Sequence, residues 1–272
     1  MKRNLGMNCD CIRTGDFSPL HTLEQMAQEG FDSFFMNMNA PQVIAEARKA
    51  GDRLGLDFEF IHAPYKGVNE FWKDGDGYLP LLEGILQTVD VAKENGVPTV
   101  IIHVSSGWHP PLPCDLGFGR FDRLVDYAGD RGIRLAFENT RKLGDLACLM
   151  YRYEQAAHVG FCLDSGHENC YTETVPFVDL YHDRLCCTHL HDNPGRNHAD
   201  PEADTDYHFL PFDGTYNFAD MVARMDKYGF SGTLMLEVFN TTKPSYKELT
   251  PEAFIHRVFE RVQKIASLSQ NG

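Results

Sequence analysis

The sequence predicts a single α/β domain over residues 1–272, an eight-stranded parallel sheet closed into a (βα)₈ barrel of the TIM-barrel architecture. Three observations predict it. Short runs rich in β-branched and aromatic residues alternate with longer stretches of helical periodicity, the pattern of parallel strands joined by right-handed crossovers. Eight such units fit into 272 residues, close to the length at which one barrel closes on itself. No strand runs into a Gly-rich phosphate loop such as G-x-G-x-x-G, which an open nucleotide-binding sheet would carry.

Strands are expected at 4–8, 31–36, 56–61, 99–104, 134–138, 159–163, 185–190 and 233–238. The clearest helices read at 41–54 (entered by a proline in its first turn), 79–94, 118–131, 218–228 and 251–267 (behind a Thr250 cap). Gly30, Gly51, Gly96, Gly132 and Gly229 read as helix ends, where a left-handed residue stops the helix. Three strand-to-helix connections are long, at 62–78, 105–116 and 192–217. In a barrel all three gather on the C-terminal face, where such loops build the active site.

A hydrophobic share of 43% supplies a substantial core and argues against disorder. A formal charge of -14 disfavours DNA and anionic membranes, because nucleic-acid affinity comes from Lys and Arg neutralising phosphates. The apolar stretch after Lys2 and Arg3 is broken by Asn8, Asp10 and Arg13, so no signal-peptide core is expected, and no run approaches a membrane span. Cys162, Cys186 and Cys187 fall inside apolar strand-like runs, which suits reduced thiols and a cytoplasmic location. Cys9-x-Cys11 and the vicinal Cys186-Cys187 lack the spacing of zinc or redox pairs and read as packing.

The chemistry lies where the strands end. His62 closes strand three, His103 strand four, Glu138 strand five, Asp164 strand six, His189 strand seven and Glu237 strand eight. Alone, each has a plain explanation as a hydrogen-bonded strand-end histidine or a helix-capping acid. Together, imidazoles and carboxylates converging on one small volume would repel or stay unsatisfied without a cation. Strand parity puts Leu185, Cys187, His189 and His191 on one face, with His189, nearer the barrel, as ligand and His191 and Asp192 as supporting or substrate-facing groups. Asp164-x-x-His167 follows strand six, and the long strand-seven loop carries Asp206-x-His208, three residues that could add ligands or bind substrate. The plain alternative for that loop is a solvated polar segment.

The segments "HAPY", "IIHVSSG", "LAFENT", "LDSGH", "THLHDN", "DYH" and "GTLMLEV", in that order over nearly the whole chain, resemble the xylose-isomerase-like barrel superfamily of sugar isomerases and epimerases, which also includes endonuclease IV. In its tagatose-type epimerases one divalent ion is held by Glu, Asp, His and Glu, which correspond to Glu138, Asp164, His189 and Glu237, with His167 as the histidine of Asp-x-x-His. Endonuclease IV is similar in carrying a three-zinc cluster, whose nine ligand types find counterparts in those four residues together with His62, His103, His167, Asp206 and His208. The order of motifs is specific for fold and metal site and poorly specific for substrate, since one scaffold hosts many chemistries.

The resemblance implies proton removal beside a carbonyl and its return at a neighbouring or opposite position, with manganese, zinc, iron(II), cobalt or magnesium as cofactor. Glu138 and Glu237 are then the proton-transfer groups as well as ligands, and His62, His103, His167, Trp108 and Arg196 contact a small sugar or polyol. Tyr65, Phe71, Trp72, Trp108, Tyr207 and Phe209 could pack on a sugar's apolar face or simply anchor loops, and Arg141 and Arg196 are the cations at hand for a phosphate. Neither nucleic acid nor membrane is expected as a partner; homo-oligomerisation stays open. The alternatives are an endonuclease IV-like phosphodiesterase, which the acidic balance disfavours, an inosose-type dehydratase, and a non-catalytic sugar- or metal-binding barrel.

Overall fold

A computed structural model describes residues 2–15 and 17–269. Its strands are β1 (Leu5–Asn8), β2 (Ser33–Asn37), β3 (Asp57–His62), β4 (Thr99–Ile102), β5 (Arg134–Glu138), β6 (Val159–Asp164), β7 (Leu185–His189) and β8 (Leu234–Leu236). All neighbours pair in parallel, in the order β7-β6-β5-β4-β3-β2-β1-β8. This is the expected (βα)₈ barrel. The helices are α1 (Pro19–Glu29), α2 (Pro41–Leu54), α3 (Leu79–Glu94), α4 (Asp115–Arg131), α5 (Leu143–Arg152), α6 (Ser165–His167), α7 (Phe177–Tyr181), α8 (Phe218–Lys227), α9 (Pro244–Lys247) and α10 (Pro251–Ala266). Among the described residues no helix is long and apolar enough to cross a membrane.

Thr250 caps α10 as its sequence suggests, its side chain accepting from Ala253 N–H. Two details differ from the sequence reading. Gly51 lies inside α2, and Gly55, with φ of 74°, ends that helix. Gly51 is needed there for contact, since a Cβ would stand 2.7 Å from the Phe34 ring. The helix α4 starts at Asp115 rather than 118, because Gly117 and Gly119 hide its first turn from propensity; Gly117 is seated against the Trp72 indole.

Side-chain alternation divides the sheet into two layers. Phe34, Met36, Val100, Ile102, Leu135, Phe137, Phe161, Leu163, Leu234 and Leu236 pack outward under the helices. Phe35, Phe60, Ile101, Ala136, Cys162, Cys187 and Met235 form a separate cluster that fills the barrel axis. Two irregularities keep this phase: the register shifts at Glu59 in β3 and at Cys186 in β7, where one residue has no partner on the neighbouring strand. The second corrects the parity expected on strand seven, for Leu185 joins the outer layer while Cys187 and His189 face inward.

The ring closes between β7 and β8 with little regular ladder. Leu190 bridges Leu236, with Leu190 N–H donating to Met235 O at 2.8 Å and Glu237 N–H to Leu190 O at 3.1 Å. Below this bridge a side chain completes the seam: the Thr188 hydroxyl donates to Thr233 O at 3.1 Å and accepts from Met235 N–H at 3.0 Å. Replacing Thr188 by Val keeps the shape and removes both bonds, at a cost of about 2 kcal/mol. Thermal unfolding should show a drop of several degrees for Thr188→Val. Thr188→Ser should stay near wild type, and equal Tm values for the two variants would contradict this role.

Candidate metal centre

Each axial residue below the mouth is followed two positions later by a polar one. Phe35 leads to Asn37, Phe60 to His62, Ile101 to His103, Ala136 to Glu138, Cys162 to Asp164, Cys187 to His189 and Met235 to Glu237. The period of two therefore raises a polar ring directly above an apolar plug. Phe35 stacks beneath His189 at 4.8 Å between ring centroids and forms the floor. His103 and Glu237 stand one residue beyond the last ladder residues of β4 and β8.

Glu138 is the centre of the ring and is buried. Its Oε2 lies 3.2 Å from His62 Nε2, 3.3 Å from His103 Nε2 and 3.4 Å from His189 Nδ1, and its Oε1 lies 3.2 Å from His167 Nδ1. Glu237 Oε2 approaches the same His189 nitrogen to 3.5 Å. Asp164 accepts from His167 N–H at 2.7 Å, capping α6, and lies 3.1 Å from His191 Nε2. Asp206 links His167 at 3.1 Å and His208 at 3.5 Å, and His208 stacks on His191 with centroids 3.9 Å apart. The loop carrying Asp206 and His208 thus belongs to the site and is not merely a solvated segment.

Three tests show that these residues suit a divalent cation. Ligands of one tetrahedral ion stand roughly 3.3–3.6 Å apart, which is the spacing of the donors about Glu138 and His189. Both ring nitrogens of His189 are buried and without a hydrogen-bond partner among the described residues. His62, His167 and His208 each bond through Nδ1 to a backbone carbonyl, of Ala63, Asn139 and Glu237, at 2.7, 2.8 and 3.2 Å. A carbonyl only accepts, so Nδ1 carries the proton and Nε2 is the nitrogen left to bind a cation. Cys162 is within reach of Glu138 and His189, but burial pushes its thiol up to about 12, so it remains a neutral part of the floor.

Burial alone would raise Glu138, but the His103 and His189 charges outweigh it and hold its carboxyl well below the usual range. Burial likewise opposes ionisation of Asp206 and Glu237, and is outweighed by His208 and His167 for the former and by His189 and His208 for the latter. The histidines move the other way. Against burial, Glu237 and Glu138 raise His189 to about 9, Asp206 raises His208 to about 9, and Asp164 and Asp206 raise His167 well above its ordinary value. His103 is the exception, lowered by burial despite Glu138.

All nine histidine and carboxylate positions named from sequence come together at this mouth, and seven of them (His62, His103, Glu138, His167, Asp206, His208 and Glu237) line a cavity of about 400 Å³ with Arg13, Tyr65, Tyr207 and Phe239. Trp108 and Arg196 do not line it. Trp108 donates to Glu202 O at 2.7 Å, and Arg196 sits over the Trp108 ring, 3.9 Å from Glu173. Phe71 and Trp72 are buried loop anchors. Asp192, read as supporting or substrate-facing, holds the loop together: its carboxylate accepts N–H groups of Asn193, Phe212, Gly214 and Tyr216 at 2.8–3.0 Å. Sequence reasoning passed over Asn8 and Asn37, whose positions at the strand ends carried a signal; Asp10 binds both, at 3.1 and 2.7 Å. It also passed over Arg13 and Asn240, loop residues with no periodicity to mark them.

Residues 23–256 match the sequence model of the family described as "Xylose isomerase-like TIM barrel". The chain is 31% identical over 239 residues to the uncharacterized protein y4fM of Sinorhizobium fredii, covering 71% of this chain and 72% of that one. It is 21% identical over 238 residues to the uncharacterized protein MJ1311 of Methanocaldococcus jannaschii, covering 79% and 78%. Among solved structures it is similar to a D-tagatose 3-epimerase-like protein, with a TM-score of 0.72, 20% identity and coverage of 97% and 98%. An L-ribulose 3-epimerase gives 0.72, 14% and 100% of both chains. The 3-keto-D-glucoside 4-epimerase YcjR of E. coli gives 0.71, 16%, 97% and 100%. At these identities the structural likeness is one of fold.

In chelator-treated protein, His189 and His208 titrate near 9 when folded and near 6.5 when unfolded, so their pairing stabilises fully below pH 6.5 and is lost as pH rises through 9. Tm should fall over that window. Divalent metal competes with the same protons, so its affinity should rise over it and binding should release protons, measurable by calorimetry in buffers of different ionisation enthalpy. A flat Tm and no proton release would refute the charge assignment. Replacing Asp192 by Ala strands four N–H groups and should cost about 3–5 kcal/mol, with rapid proteolytic cleavage in 193–216. Wild-type Tm and protease resistance would show the loop to be held elsewhere.

Proposed function

Because the chain belongs to the xylose isomerase-like TIM barrel family, we propose that it is a divalent-metal-dependent isomerase or epimerase that moves a proton next to the carbonyl of a small sugar or sugar derivative. The observation that carries the reading is the pair Glu138 and Glu237, two buried carboxylates held ionised by imidazoles and converging on His189. Structurally similar proteins named as epimerases of ribulose and of a 3-keto-glucoside support it. Glu138, Asp164, His189 and Glu237 would hold the ion, which when bound supplies positive charge to stabilise the negative charge developing on substrate oxygens. An ionised carboxylate is ready to accept a carbon-bound proton, and a second one, once protonated, can return it elsewhere. His103, its Nε2 3.3 Å from Glu138, offers a hydrogen-bonding group beside that carboxylate. Tyr65, stacked on His103 at 4.4 Å, gives the cavity an aromatic wall that excludes water.

A second reading has its own support. The donors His62, His103, His167, Asp206 and His208 surround the four-ligand set and match in kind a three-ion phosphodiesterase centre. The formal charge of -14 disfavours a DNA substrate for it.

Incubating the metal-loaded protein with pools of ketoses, aldoses and inososes in deuterated water tests the proposal. Carbon-bound deuterium in an isomer is expected; deuterium accompanied by loss of water would indicate a dehydratase, and incision of an abasic duplex the phosphodiesterase. With a substrate in hand, Glu138→Gln and Glu237→Gln should each lose roughly 10²- to 10⁴-fold in turnover at full metal occupancy. Near-normal turnover in both variants would leave these residues as ligands only.

A further inference from the structure

Taking the proposed sugar chemistry as its premise, we infer that Arg13 forms an oxyanion subsite on the wall of the metal cavity, so that the substrate carries a phosphate or carboxylate group. Three other cations near the mouth are engaged. Arg141 pairs with Asp204 at 3.1 Å and lies over Tyr171, Arg196 faces Glu173, and Lys243 donates to Asp213 O at 3.0 Å. Arg13 is the one Lys or Arg among the residues lining the cavity, and it has no carboxylate within ion-pair distance among the described residues.

The arginine is held from two sides. Asn240, itself buried, accepts Arg13 N–H at 2.9 Å, donates to Thr14 Oγ1 at 2.7 Å, and donates its own N–H to Cys11 O at 3.1 Å. This fixes the loop backbone. The guanidinium then rests on the Phe239 ring, with Cζ 3.3 Å from the centroid. Stacking uses the face of the guanidinium and leaves its edge N–H groups free, the fork that matches an oxyanion in bidentate fashion. Arg13 is exposed at the rim of the cavity, yet both restraints hold it there. Phe239 also lies 5.4 Å from the His208 ring, so one aromatic ring separates the free cation from the metal donors. A ligand whose hydroxyls sit over Glu237 and His208 places an end group at Arg13.

Calorimetry on the metal-loaded protein with glucitol, glucitol 6-phosphate and gluconate tests this without turnover. At least one anionic probe should bind about ten-fold or more tightly than glucitol, and which one does so separates phosphate from carboxylate as the source. Arg13→Gln should abolish that preference, leaving glucitol affinity and metal content unchanged, and Arg13→Lys should retain part of it. No anionic preference in the wild type, or one that survives Arg13→Gln, overturns the subsite. Anionic preference through Arg13 with no deuterium incorporation into any sugar would instead sink the epimerase reading and leave the subsite standing.

Discussion

The burial of one carboxylate, that of Glu138, dictates how the rest of the mouth is built. An ionised group removed from water must find polar or charged partners close at hand, and here the partners are imidazoles from four different segments of the chain. His62 comes from β3, His103 from just past β4, His167 from α6 and His189 from β7. No single hairpin or βα unit could bring these together. Only a closed parallel ring, with every strand ending at the same height and in the same phase, delivers them to one carboxylate. Fold and site therefore answer to the same requirement, and the apolar plug below supplies the low-dielectric floor that makes the requirement strict.

Positive charge about Glu138 arrives in two forms, as protons on the imidazoles or as a divalent ion. His167 and His208, anchored through Nδ1, are arranged for either, since the same Nε2 that bears a proton in one state is the lone pair offered in the other. The carboxylates need no rearrangement between the two. This is the sense in which the site is preorganised, with its reorganisation confined to proton traffic.

The strands and the ring of polar ends were legible because period two is a local property, readable from a few residues at a time. Glu138, Asp164, His189 and Glu237 could thus be placed from sequence and resemblance together. What escaped was set by tertiary pairing. The extra residue at Cys186 shifts Leu185 out of phase, and nothing in the run LCCTH announces it. Arg13 and Asn240 meet across the whole length of the chain, and neither carries a motif. Trp108 and Arg196 suit a sugar site by their chemistry, but where a loop side chain comes to rest depends on which other loop it meets.

The long excursion after β7 is pinned where it leaves and returns. Asp192 and Phe209 exchange backbone hydrogen bonds at 2.9 and 2.8 Å, so the chain between them is a closed loop tied at its neck. The two donors it contributes, Asp206 and His208, lie beside the knot, whereas residues 197–202 are exposed. Divergence can therefore lengthen, shorten or recolour that tip without dislodging the chemistry at its base. A designer seeking new substrate scope would graft there first, because the neck insulates the reactive residues from what is changed beyond it.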